Sequence, residues 1–177
     1  MSERATQLVG MVAAAIVGIG QSTAAQDVTT VDQHERPHHI LLIGKPRKAV
    51  EDAVTGAMRR LGMPKCQKLF DEFTNQAGRA LTMNLAATGQ SPADFLVGLY
   101  FVDGDDAIQC RASETVAAFT EPGSHVVHVC GRRFLQFALK TKGGEILLIH
   151  ELLHAIGLGE NPPTSAQITS AVMNRCG

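Results

Sequence analysis

The 177-residue chain has no tryptophan and a single tyrosine, Tyr100, so any role for a phenol has one candidate. It has no excess of either charge. Sixteen Lys+Arg face seventeen Asp+Glu, a formal net charge of -1, which gives no reason to expect nucleic acid or an anionic membrane as partner. No block of like charge stands out, which excludes an acidic or basic disordered tail. Collagen, coiled-coil, low-complexity and internally repeated patterns are missing too. The four cysteines, Cys66, Cys110, Cys130 and Cys176, are far apart, and a cysteine-built zinc site needs paired short spacings. What is present is 45% hydrophobic residues, enough to bury the core of one domain.

The longest apolar run, Leu8 to Gly20, covers about 13 residues, whereas crossing a ~30 Å hydrocarbon core takes ~20. A short polar start with Arg4 precedes it, and Ser22-Thr23-Ala24-Ala25 follows with the small residues that a signal peptidase accepts. Residues 1–25 are therefore expected to be a cleavable signal peptide. The chain would then be exported to a secreted, periplasmic or envelope location, with no stable membrane span after cleavage. Export meets oxidising conditions, so the even number of cysteines predicts two disulfides, with three pairings open.

Residues 26–45 read as a polar lead-in with His34 and the His38-His39 pair, ending in a short strand at Ile40–Ile43; the domain proper is expected over 46–177. Val50, Ala53, Val54, Ala57, Met58 and Leu61 recur at three and four, which predicts a helix from Pro46 to Leu61. A second helical stretch carries Cys66, Leu69, Phe70 and Phe73, and residues 79–95 fit either helix or turn around Ser91-Pro92. Leu96 to Val102 reads as a buried strand, with Tyr100 in the core. Further strands are expected at Ala107–Arg111, Thr115–Thr120 and His125–Cys130; residues 132–141 carry no clear signal. Glu145 to Leu158 is an apolar, proline-free segment that predicts a buried helix, and Thr164 with Gln167 has the form of a capping box opening a last helix through Cys176. Helices, then strands, then two helices make the fold class α+β.

The chemistry lies on the buried helix, in His150-Glu151-Leu152-Leu153-His154. Residues four apart stand one turn above each other on one helical face, so both imidazoles can reach one metal ion. Glu151 is offset by about 100° and can lean over the metal without ligating it, placed to take a proton from an attacking water. Catalytic zinc takes three protein ligands. After His154 the chain has no further His or Asp and one acid, Glu160, preceded by Gly157 and Gly159, which let the backbone turn back. Glu160 is the leading third ligand, with His125 and His128 as alternatives; three apart on a strand, those two point to opposite faces.

The stretch HELLHAIGLGE, residues 150–160, resembles the zincin metallopeptidase signature HExxH. It is similar more closely to the extended metzincin form, HExxHxxGxx followed by a third ligand. The resemblance implies zinc held by His150 and His154, Glu151 as general base, Gly157 as the turn glycine and Glu160 at the third-ligand place. It departs from metzincins there, since they carry His or Asp, and Met173 lies in a predicted helix where they have a Met-turn. The implied fold is zincin-like: N-terminal helices and a small mixed sheet packed on a buried active-site helix, with a C-terminal helix. The implied activity is hydrolysis of a protein or peptide lying along an edge strand, supplied by His125–Cys130 or Thr115–Thr120. Tyr100, His125, His128 and Arg175 are the candidates for stabilising an oxyanion. The reading from another class is a secreted zinc-binding or interaction domain without turnover. Neither reading fixes the oligomeric state.

Overall fold

A computed structural model of the chain describes residues 39–139 and 142–177. The expected signal peptide, and His34 and His38 of the lead-in, lie outside the described residues. The described residues form a mixed α+β fold with eight α-helices and one four-stranded sheet, the class the element order predicts. No helix among them is long and apolar enough to cross a membrane.

The strands are β1 (Ile40–Leu41), β2 (Tyr100–Asp103), β3 (Ala118–Phe119) and β4 (Val126–Val129), in spatial order β1-β2-β4-β3. The first two and β4 run parallel, with Ile40 opposite Phe101 and Phe101 opposite Val127. The antiparallel β3 closes the sheet, with Phe119 opposite His128. Side chains alternate across a sheet, so Ile40, Phe101 and Val127 enter the core while Leu41 and Tyr100 face outward. Tyr100 is thus not the core residue expected; it is 42% exposed and stacks on His39 at 4.3 Å. Because β4 is paired on both sides, only β3 of the two expected edge strands is an edge.

The long amphipathic helix α1 (Gly44–Leu61) forms as its spacing predicts, with Val50, Ala53, Val54, Ala57 and Leu61 buried. After it come α2 (Pro64–Gln67), a 3₁₀ turn at Lys68–Asp71, α3 (Leu81–Thr88) and α4 (Pro92–Val97). This last helix takes Leu96 and Val97 away from the expected strand. Ser91 and Asp94 make a full capping box with Pro92 in the first turn, so local capping overrides an apolar run that by itself reads as either element. The expected strand at Ala107–Arg111 is instead α5 (Ile108–Ala112), a stretch too short to show a helical period, anchored through Cys110. Thr115–Thr120 keeps only the two residues of β3 in the sheet. Within the unassigned stretch 132–141, residues 132–139 belong to α6 (Gly131–Leu139), whose single large core side chain, Phe134, leaves little hydrophobic pattern to read.

The buried helix is α7 (Gly143–Ala155), with Leu148, Ile149, Leu152 and Leu153 fully enclosed. It packs between α1, α6, the sheet and α8 (Ser165–Cys176). It ends three residues before the expected Leu158. Gly157 adopts φ +115°, Leu158 N–H donates to the Leu153 carbonyl and Gly157 N–H to that of His154. Together these bonds form a Schellman stop, which requires the conformational freedom of glycine. The last helix starts at the expected Thr164–Gln167 capping box and buries Ile168, Val172 and Cys176.

Two disulfides form, as the even count predicts, and the pairing is now defined: Cys66–Cys176 ties α2 to the end of α8, and Cys110–Cys130 ties α5 to the end of β4. Such bridges fit an oxidising compartment. Beside the first, the half-buried Glu145 of α7 pairs with the buried Arg60 of α1, whose guanidinium also donates to the Cys176 carbonyl. Gly56 leaves the space that Glu145 fills, and a Cβ there would collide with the carboxyl. Gly56→Ala is therefore expected to cost about 1–3 kcal/mol, the usual range for overpacking. Gly62→Ala, where the nearest atom lies at an ordinary 3.5 Å, should be neutral. Denaturant unfolding of both variants checks this.

Candidate metal centre

Three of the residues singled out from the sequence come together. His150 and His154 sit on one face of α7, and the Schellman stop turns the chain so that Glu160 returns over them. His150 Nε2 lies 3.0 Å from His154 Nε2, and Glu160 Oε1 lies 3.8 Å from the first and 3.4 Å from the second. A circle through these three atoms has a radius of about 2.0 Å, and zinc sits ~2.0–2.2 Å from imidazole nitrogen or carboxylate oxygen. The triangle thus has the size of one face of a tetrahedral site. Two neutral imidazoles and one carboxylate are also the donor chemistry that zinc accepts, so the residues fit the ion that the sequence pattern implies.

The far side of each imidazole is also held. His154 Nδ1 donates to the Leu158 carbonyl at 2.8 Å, which leaves its Nε2 lone pair facing the group. His150 Nδ1 lies 2.9 Å from the Thr169 hydroxyl on α8. The turn that carries Glu160 is buttressed by Asn84 of α3, whose Nδ2 donates to the Ile156 carbonyl at 2.9 Å. The His154 carbonyl also accepts from Gly123 N–H, joining the turn before β4 to the end of α7.

His150, Glu151 and His154 are only 3–5% exposed, whereas the Glu160 side chain is 39% exposed and forms the solvent side of the group. Burial, and then the like charge of a protonated His154, push the His150 imidazole down to about 3. Burial pushes the Glu151 carboxyl up to about 8; the nearby Thr120 hydroxyl pulls it back, and the Glu160 carboxylate pushes it further up. Thr120 Oγ1 and Glu151 Oε2 are nonetheless both buried without a hydrogen-bond partner. The hydroxyl therefore acts on the carboxyl by proximity rather than through an aligned bond. Both orphaned atoms belong to the surroundings of the metal group, where a polar partner would satisfy them.

The remaining sequence candidates are engaged elsewhere. His128 stacks on Phe119 at 4.7 Å with the rings 6° apart, and His125 meets the Phe95 ring edge-on at 5.0 Å. Neither joins the group, so Glu160 is the third residue the fold supplies. Arg175 pairs with Glu72. Sequence reasoning did not find Thr169, Thr120, Asn84 or the Leu158 carbonyl. The only signal for Thr169 was its place one turn into a capped helix. Comparison with protein-family models, with curated proteins and with solved structures finds no match.

The shifted Glu151 gives a signed expectation for the metal-free chain. Between pH 6.5 and 8 the unfolded chain has ionised this carboxyl and the folded chain has not, so folding stability falls as pH rises. His150 opposes this only near the lower end of that window, because its imidazole is neutral when folded and still half-protonated at pH 6.5 when unfolded. Glu151→Gln should remove that part of the slope, measured as unfolding free energy against pH in the presence of a chelator.

Proposed function

We propose that the chain is an exported zinc-dependent metallopeptidase that hydrolyses peptide bonds with Glu151 as general base. The observation that carries this reading is the triangle of His150, His154 and Glu160 together with a buried, unpartnered carboxyl one residue from the first ligand. A purely structural zinc site closes with four protein ligands and has no use for a base; here, among the described residues, three candidate ligands group together. The two disulfides and the apolar N-terminal run support export.

Zinc held by His150, His154 and Glu160 would polarise the scissile carbonyl and make water nucleophilic near neutral pH, lowering its pKa from ~15.7 towards ~7. The protein's own part is the handling of the proton. Glu151 accepts it from the attacking water and delivers it to the leaving amine. Its apolar surroundings raise the carboxyl from the ordinary carboxylate range towards neutrality, and a cation held by the neighbouring ligands would oppose that rise. The edge strand β3 runs directly into Thr120, beside Glu151. An extended peptide added to that edge would present its backbone to the same corner.

Peptide-library cleavage by the zinc-loaded chain, with Glu151→Ala beside it, tests the proposal. Cleavage by the parent and loss of at least about a hundredfold in the variant, with zinc retained in both, is the expected result. Zinc bound by both without cleavage would favour the binding domain without turnover.

A further inference from the structure

Thr169 stands out among the helical threonines. Thr55 and Thr88 turn their hydroxyls back onto carbonyls of their own helices, those of Glu51 at 2.9 Å and Leu85 at 2.7 Å. Such back-bonding is the usual local solution. The Thr169 hydroxyl instead crosses to another helix and meets His150 Nδ1 at 2.9 Å. Its placement is determined from several sides. The Thr164–Gln167 capping box fixes the start of α8, Ile168 and Val172 anchor it in the core, and Cys66–Cys176 ties down its end.

The two imidazoles are held by partners of different kinds. The Leu158 carbonyl can only accept, so His154 carries its proton on Nδ1 whether or not a metal is bound. The Thr169 hydroxyl can accept or donate. Without metal, His150 can donate from Nε2 to the His154 Nε2 lone pair at 3.0 Å while its Nδ1 accepts from Thr169. A ligating His150 must expose the Nε2 lone pair, and its proton then sits on Nδ1 and is donated to Thr169. The proton changes nitrogen by exchange with solvent, the hydroxyl rotates to follow it, and no net proton is gained or lost.

From this arrangement, and resting on the metal reading above, we infer that Thr169 is a positioning residue for His150. Its reversible hydroxyl lets the imidazole switch tautomer when the ion enters, and so makes the C-terminal helix part of the metal centre. The consequence is that metal affinity is set in part from outside the HELLHAIGLGE stretch.

Thr169→Val keeps the branched shape and removes the hydroxyl; Thr169→Ser keeps the hydroxyl. Zinc affinity of the full chain, measured by competition with a chromogenic chelator, should fall about ten- to hundredfold in Thr169→Val and return to within a few-fold of the parent in Thr169→Ser. Nitrogen-15 NMR of the His150 ring should show the parent carrying its proton on Nε2 without metal and on Nδ1 with zinc. Equal affinity in the parent and Thr169→Val, or a Thr169→Ser variant as weak as Thr169→Val, would overturn the inference. A His150 ring protonated on Nδ1 in both states would also overturn it. No zinc uptake by the unaltered chain would bring down the metal reading and this inference together, which separates the two failures.

Discussion

The cost of placing two imidazoles and a carboxyl inside an apolar helix governs the design of this fold. Each such group loses water on burial, and an unpaired one costs several kcal/mol. Helix α7 carries His150, Glu151 and His154 at 5% exposure or less, among Leu148, Ile149, Leu152 and Leu153, which have none. The neighbouring elements supply what the burial removes. The turn after α7 gives His154 a carbonyl and brings Glu160 back over the pair, and α8 gives His150 a hydroxyl. Of the three, Glu151 is left with an unsatisfied oxygen, beside the equally unpartnered Thr120 hydroxyl. In a stability-only design that would be a defect; under the proposed hydrolytic function it is where a reacting water would sit.

The turn connecting the helix to Glu160 does two jobs. Its glycine stops α7 by a Schellman arrangement, which satisfies carbonyls at the helix end. The same reversal sets the direction in which residues 158–160 leave. Asn84 donates to the Ile156 carbonyl, and a Cβ on Gly157 would approach that amide to 3.2 Å, so the reversal is pinned from α3 as well as from within. A carboxylate only six residues past His154 can therefore reach both imidazoles without a strand or a separate helix to deliver it.

What could be read from the residues alone follows from the range of the interactions. The spacing in α1, the capping box of α8, the even cysteine count and the His–Glu–His pattern are local or compositional signals, and the structure carries the corresponding elements and bridges. The grouping of Glu160 with the histidines followed from elimination, because no other acid lies downstream. Failures came where short segments depend on tertiary partners. Leu96 and Val97 join a helix because Ser91 and Asp94 cap it, and α5 takes its shape around Cys110, whose partner lies 20 residues on. Tyr100 faces outward because the sheet is packed on one side at that position. Thr169 was invisible, since nothing in its own segment says which histidine it meets.

The most direct test of the central claim is zinc-edge X-ray absorption on the purified chain, together with metal analysis. One zinc per chain is expected, with two imidazole nitrogens, carboxylate oxygen and one further light-atom ligand from solvent, all near ~2.0–2.2 Å. A spectrum with sulfur ligands, with imidazoles beyond His150 and His154, or with no specifically bound zinc would contradict it.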